Sequence, residues 1–204
     1  MSFVSYPKTN ENISSIVSGL DIQPHDKIVA IGGSGDQAFA ILEYVGHVLA
    51  VDEDCLQVDY IDDQLDLIAV RDYETFWSMR ESKEYFLPSR LDVIRRKLDC
   101  IEVRKGDIVD VCRNIRGYNK VYLSNSLYGH PDELAPKLVL VSSNLPIGGL
   151  VYASNGGTAA EALVGTGLVI DFELTRRIIE DNWHPVVLRK ESGPSELTDP
   201  LYLL

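Results

Sequence analysis

Three glycines, Gly32, Gly33 and Gly35, stand between an apolar run, Ile28 to Ile31, and a stretch in which Ala38, Ile41, Leu42 and Val45 recur at helical spacing. A glycine-rich turn from strand to helix lets backbone approach a ligand closely. The first N–H groups of the helix add unpaired donors and a partial positive charge. A second apolar run, His47 to Val51, then closes on Asp52. A carboxylate at that strand end can accept two hydrogen bonds from a ribose diol. Turn, helix and acidic strand end together fit a cofactor of the adenosine type.

Two cofactor classes share that geometry. The string GSGDQA, residues 33 to 38, satisfies the GxGxxA pattern of nicotinamide cofactors. Asp36 weighs against it, because a carboxylate one residue past the last glycine repels a pyrophosphate. S-adenosylmethionine carries no phosphate, and its ammonium suits a carboxylate at that place. Asp107, in Lys105-Gly106-Asp107, follows a third expected strand, Ile101 to Arg104, and is placed to bond the amino edge of an adenine. Gly-Asp is also an ordinary turn pair. After a fourth run, Lys120 to Ser124, come Asn125 and Tyr128, at the strand end where ligands bind in open α/β sheets. Asn125 offers a carbonyl to a reacting group, and Tyr128 a hydroxyl or a ring face to a sulfonium. His130, before Pro131, reads as a loop residue rather than a base. No GxSxG, HExxH or P-loop lysine pattern is present, and the histidines and cysteines lack metal-ligand spacing, so no metal is expected.

The elements that must position these residues alternate. Ile13, Ile16, Val17 and Leu20 mark an N-terminal helix, Ile61, Leu65 and Ile68 another, and Leu91, Ile94 and Leu98 a third. Phe76 reads as core. Further strands are expected at 149–154 and 185–188, with a helical stretch at 175–181. Strands alternating with helices imply an α/β three-layer sandwich with a mostly parallel sheet. It divides into a short helical extension at 1–25, a cofactor-binding domain at 26–190 and a loop-like tail at 191–204. The chain has 204 residues, enough for one substantial core.

A net charge of -12 repels phosphate backbones and anionic membrane surfaces, so neither nucleic acid nor membrane is an expected partner. Arg95-Arg96-Lys97 is the basic cluster, and it reads as a solvated helix face. The odd count of three cysteines favours reduced thiols. The start, MSFVSYPKTNENISS, shows no signal-peptide pattern, and a cytoplasmic protein is expected.

IGGSGDQAFAIL, AVDEDCLQ, DYETFW and LSNSL, in that order, resemble the core of the S-adenosylmethionine:diacylglycerol 3-amino-3-carboxypropyltransferase family of betaine-lipid synthesis, a branch of the Rossmann-like class I methyltransferase fold. The resemblance runs from about residue 26 to residue 155 and implies S-adenosylmethionine as cofactor. By position it gives Gly32, Gly33, Gly35 and Asp36 the methionine and ribose side. Asp52 takes the ribose hydroxyls, Asp107 the adenine, and Asn125 and Tyr128 the transferring carbon. The chain departs from the family at Asp54-Cys55-Leu56, where Asn-Pro is usual before the Gln, and in its short stretch before the sheet. A small-molecule acceptor is therefore expected rather than a lipid, with an intramolecular transfer as one form of it. Methyl transfer and a non-catalytic cofactor-binding subunit are the alternatives, and a homo-oligomer stays open.

Overall fold

The computed structural model describes residues 4–9, 11–79, 84–127, 129–178 and 184–194. Short β-branched runs form β1 (Lys27–Ile31) and β2 (His47–Asp52), whose central residues are buried. β3 (Ile101–Lys105), β4 (Lys120–Tyr122), β5 (Leu150–Ala153), β6 (Leu168–Ile170) and β7 (Val186–Lys190) complete a seven-stranded sheet. Its order is β3-β2-β1-β4-β5-β7-β6, with β7 antiparallel to both its neighbours. The register pairs Ile28 with Val48 and Val29 with Val121, so β1 lies between β2 and β4. The chain moves outward from β1 to β2 and β3 on one side, and to β4 and β5 on the other. That reversal opens a crevice at the carboxyl ends of β1 and β4.

Helices cover both faces. On one, α1 (Ile13–Gly19), α2 (Asp36–Leu42), α3 (Cys55–Val70), α4 (Tyr73–Ser78) and α5 (Pro88–Arg95) bury Ile16, Phe39, Ile61, Phe76 and Leu91 in a common core. On the other, α6 (Ile108–Asn114), α7 (Pro131–Ser142) and α8 (Gly156–Glu161) bury Val109, Leu138 and Ala159 against Val29, Leu49 and Val121. The short α9 (Phe172–Arg176) returns Leu174 to the first core. Five helices start on an Asn or Asp whose side chain accepts a first-turn N–H: Asn12, Asp54, Asp72, Asp107 and Asp171.

The expected three-layer α/β architecture is the observed one, with differences in detail. The fourth strand ends at Tyr122, because the chain turns at Ser124 with φ +52°. The helical stretch expected at 175–181 is α9, which stops at Arg176, and residues 179–181 lie outside the described residues. α6, α7 and β6 arise where the sequence reading placed no element. Lys97, expected on a solvated face, donates its ammonium to the carbonyls of Glu43 and Val45 and so caps the end of α2. Phe76 is core, as expected, and meets Phe86 edge-on at 5.6 Å.

At the opposite edge of the sheet, Asp26 and Lys120 form a buried ion pair at 2.6 Å. Burial alone would push the Asp26 carboxyl up, but Lys120, the Gln23 N–H and the Asn119 amide hold it below the usual carboxylate range. Among the described residues no helix is long and apolar enough to cross a membrane.

Candidate functional site

A cavity of about 310 Å³ opens at the carboxyl edge of the sheet. Four strand ends build it: Gly33 and Ser34 after β1, Asp52 and Glu53 at β2, Gly106 and Asp107 after β3, and Ser124 to Leu127 after β4. Its size falls within the range of small-molecule sites, and it sits where the strand order reverses.

The turn after β1 divides its glycines by role. Gly32 donates its N–H to the Val51 carbonyl at 2.6 Å. A Cβ there would stand 3.0 Å from the Asp52 Cβ, so a glycine lets β1 and β2 end side by side. Gly35 caps α2 at φ +81°, and a Cβ on it would meet the Phe39 ring at 2.8 Å. Gly33 alone of the three faces the cavity, and a Cβ on it meets no atom within 4 Å. The first two shape the turn; the third leaves room above it.

Asp52 is fixed from below. Oδ2 accepts the Gly33 N–H at 2.9 Å, and Oδ1 accepts the Asp54 N–H at 3.0 Å. Each oxygen keeps a second lone pair for a donor in the cavity. Burial pushes this carboxyl above the usual range, and the N–H groups of Asp54 and Gly33 offset only part of the rise. Asp107 caps α6 with Oδ1, which takes the N–H groups of both Val109 and Asp110, and this leaves Oδ2 for a ligand donor. Ile31, Ile108, Val109 and Leu127 supply the apolar wall that a flat ring requires.

Four of the residues singled out from sequence thus line one cavity: Gly33, Asp52, Asp107 and Asn125. Gly32 and Gly35 lie beneath it. Asp36 does not line it. Its side chain is fully buried and its Oδ2 accepts the Thr9 N–H at 3.3 Å, because α2 begins under the N-terminal segment rather than in the open. Tyr128 lies outside the described residues. His130 is exposed and opens α7, accepting the Asp132 N–H.

Sequence reasoning missed the roof. Residues 6–9 cross the turn as a strap, and Tyr6, Lys8 and Thr9 line the cavity. Gln57 holds the strap by accepting the Tyr6 N–H at 3.1 Å and donating to the Tyr6 carbonyl at 2.8 Å. The Tyr60 hydroxyl donates to the Pro7 carbonyl, and the Gln37 amide to the Thr9 hydroxyl. Glu11, just beyond, accepts from the hydroxyls of Tyr122 and Ser124. Nothing in the spacing of residues 6–11 marks them. The buried Gln57 and Gln37 on otherwise apolar helix faces were the available signal. Ser124 and Lys137 complete the wall. Among the described residues no group of His, Cys, Asp and Glu is arranged to hold a metal ion.

No protein-family model and no curated protein matches the chain. Solved structures do. Precorrin 8W decarboxylase of Methanobacterium thermoautotrophicum is similar with a TM-score of 0.53 and 17% identity over 86% of this chain and 86% of its own. A putative rRNA methylase of Clostridium thermocellum gives 0.54 and 15% over 88% and 95%, and the cyclase SpnF 0.56 and 12% over 89% and 80%. At such identities the likeness shows the fold, and it is the Rossmann-like class I methyltransferase fold.

Proposed function

We propose that the chain is an S-adenosylmethionine-dependent transferase that moves an aminocarboxypropyl group to a small acceptor and releases 5′-methylthioadenosine. The observation that supports a cofactor of this kind is the convergence of Gly33, Asp52, Asp107 and Asn125 on one cavity at the strand-order reversal. The donor set fits the group. Asp52 accepts from a diol, Asp107 Oδ2 from an amino edge, and the open space over Gly33 admits a chain close to the backbone. Lys8, on the strap, supplies the cation that a carboxylate needs. Asp52, Glu53 and Asp107 are poor company for a pyrophosphate, and this disfavours a nicotinamide dinucleotide.

When bound, S-adenosylmethionine supplies a sulfonium already activated for displacement at its methyl or its γ-carbon. The protein then has to hold, orient and exclude water. The strap over the turn limits solvent entry, and Asn125 presents an amide to the acceptor side. The choice of the γ-carbon rests on the resemblance through Gln57, Asp72 to Trp77 and Leu123 to Leu127. An intramolecular version, in which the cofactor's own amine or carboxylate is the nucleophile, belongs to the same reading.

Methyl transfer is the second reading, favoured by the methylases among the similar structures. Incubation with S-adenosylmethionine and a cell extract, followed by mass spectrometry of the nucleosides, separates the two. Enzyme-dependent 5′-methylthioadenosine is expected. S-adenosylhomocysteine as the sole product would establish a methyltransferase instead, and survival of the cofactor with every acceptor would establish a binding subunit.

A further inference from the structure

Gln37 and Ser124 line the cavity from opposite halves of the sheet, the first on α2 after β1 and the second at the turn after β4. A chain of hydrogen bonds joins them through the strap. The Gln37 amide donates to the Thr9 hydroxyl at 2.6 Å, the Glu11 N–H donates to the same oxygen at 3.1 Å, and the Ser124 hydroxyl donates to Glu11 Oε1 at 2.5 Å. The other Glu11 oxygen accepts the Tyr122 hydroxyl, so both carboxylate oxygens are engaged inside the protein. Tyr122 is a fixed anchor for it. The ring is fully buried and packs against Tyr152 at 5.7 Å. Burial, with Glu11 alongside, pushes the phenol well above its usual range, so Tyr122 stays a donor.

Ser124 needs such a hold. At φ +52° it lies in the left-handed region, which a residue with a Cβ rarely adopts. Its carbonyl accepts the Ser154 N–H at 2.8 Å, and its side chain is tied to Glu11. The hydroxyl has one hydrogen to give. Glu11 Oε1, at 2.5 Å, is its main acceptor, and Asn125 Oδ1, at 3.3 Å, a weak one. Without the carboxylate, that hydrogen turns to Asn125 and occupies the amide carbonyl assigned above to the acceptor side. We infer that Glu11 is a positioning residue, which locks the turn at Ser124 and makes the presentation of Asn125 depend on the strap being seated. The inference rests on the transferase reading above and names the device that assembles the acceptor side of the same site. Glu11 touches neither cofactor nor acceptor; it acts through Ser124.

Amide exchange on the full chain without ligand tests the coupling. Gln57→Ala frees the strap at Tyr6 and does not touch the cavity or the β4 turn. Exchange of the Ser126 N–H, bonded to the Leu123 carbonyl, and of the Ser154 N–H, bonded to the Ser124 carbonyl, should nevertheless quicken about threefold or more. In a Ser124→Gly background the acceleration should stop at the strap. Glycine accepts the left-handed φ, so this variant keeps the turn and severs only the bridge, and it stays informative if Glu11→Ala fails to fold. Acceleration confined to residues 6–9 in the Ser124 protein, or equal acceleration at both amides in the Ser124→Gly background, overturns the inference. A second arm reads the chemistry. Ser124→Gly and Glu11→Ala should lower nucleoside product formed from S-adenosylmethionine in cell extract about tenfold or more. Calorimetry should find S-adenosylmethionine affinity within about threefold, because Gln57, Tyr60 and Asp36 still hold the strap. Full product formation by both variants also overturns the inference. The exchange arm needs neither cofactor nor acceptor, so a chain that forms no product sinks the transferase reading and leaves the bridge to be decided by exchange.

Discussion

Asp52 shows how one side chain can carry opposite demands. Burial disfavours its ionised form, yet the ionised form is the one that accepts hydroxyl donors. A carboxyl raised in the folded state contributes most to stability below its unfolded pKa and loses that contribution as pH rises through its folded pKa. Ligand affinity runs the other way. As pH falls through the raised value, the carboxyl protonates and loses acceptor capacity, so binding of S-adenosylmethionine should weaken at acidic pH. Asp52→Ala should cost ~1.5–3 kcal/mol of binding, which calorimetry reads as a drop of roughly ten- to hundredfold. Equal affinity at neutral and acidic pH would show that the diol is held elsewhere. Asp36, by contrast, was legible as a charge at the turn but not as a buried one. The residue that covers it, Thr9, is 27 positions away, and no local pattern encodes that contact.

The elements divide along the same line between local and non-local encoding. β1, β2 and β3, with α2, α3 and α5 between them, were readable because each carries its own periodicity, and α3 also opens on a capping Asp54. β4 was read two residues too long, since the left-handed turn at Ser124 has no glycine to announce it. α7 begins at Pro131 and contains Pro136, which conceals its helical spacing. The strap was illegible because its hold on the domain comes from Gln57, Tyr60, Gln37 and Asp36, which belong to other elements. Its attachment makes a testable demand. Gln57→Ala removes both bonds to Tyr6, each worth ~0.5–1.5 kcal/mol. Amide exchange in residues 6–9 should then quicken by about tenfold, with α3 itself unaffected. S-adenosylmethionine affinity should fall, because Tyr6, Lys8 and Thr9 form part of its wall. Faster exchange with unchanged affinity would reduce the strap to a cover.

At the scale of the whole molecule the sheet has two edges with different electrostatics. The carboxyl edge holds the cavity built by the ends of β1 to β4. The opposite edge is pinned by Asp26 and Lys120, whose side chains are 2% and 8% exposed. Asp26→Asn strands the Lys120 ammonium and should cost ~3–5 kcal/mol in urea unfolding while leaving ligand affinity intact. The depressed Asp26 carboxyl contributes stability that is present above its unfolded pKa and lost as pH falls through its folded one. The chain as a whole leans the other way, with a net charge of -12 and an acidic stripe on α3, Asp59, Asp62, Asp63 and Asp66. Burial raises the Asp62 carboxyl, and Asp59, Asp66 and Asp63 raise it further. Like charges three and four positions apart on a helix repel by ~0.2–0.5 kcal/mol per pair. Added salt screens such repulsion between exposed groups but hardly reaches the buried Asp26–Lys120 pair. The thermal midpoint should therefore rise with sodium chloride, and Asp62→Asn should raise it at low salt and shrink the salt response. A midpoint that falls with salt would mean that surface ion pairs such as Arg177–Asp21, rather than the acidic stripe, govern the balance.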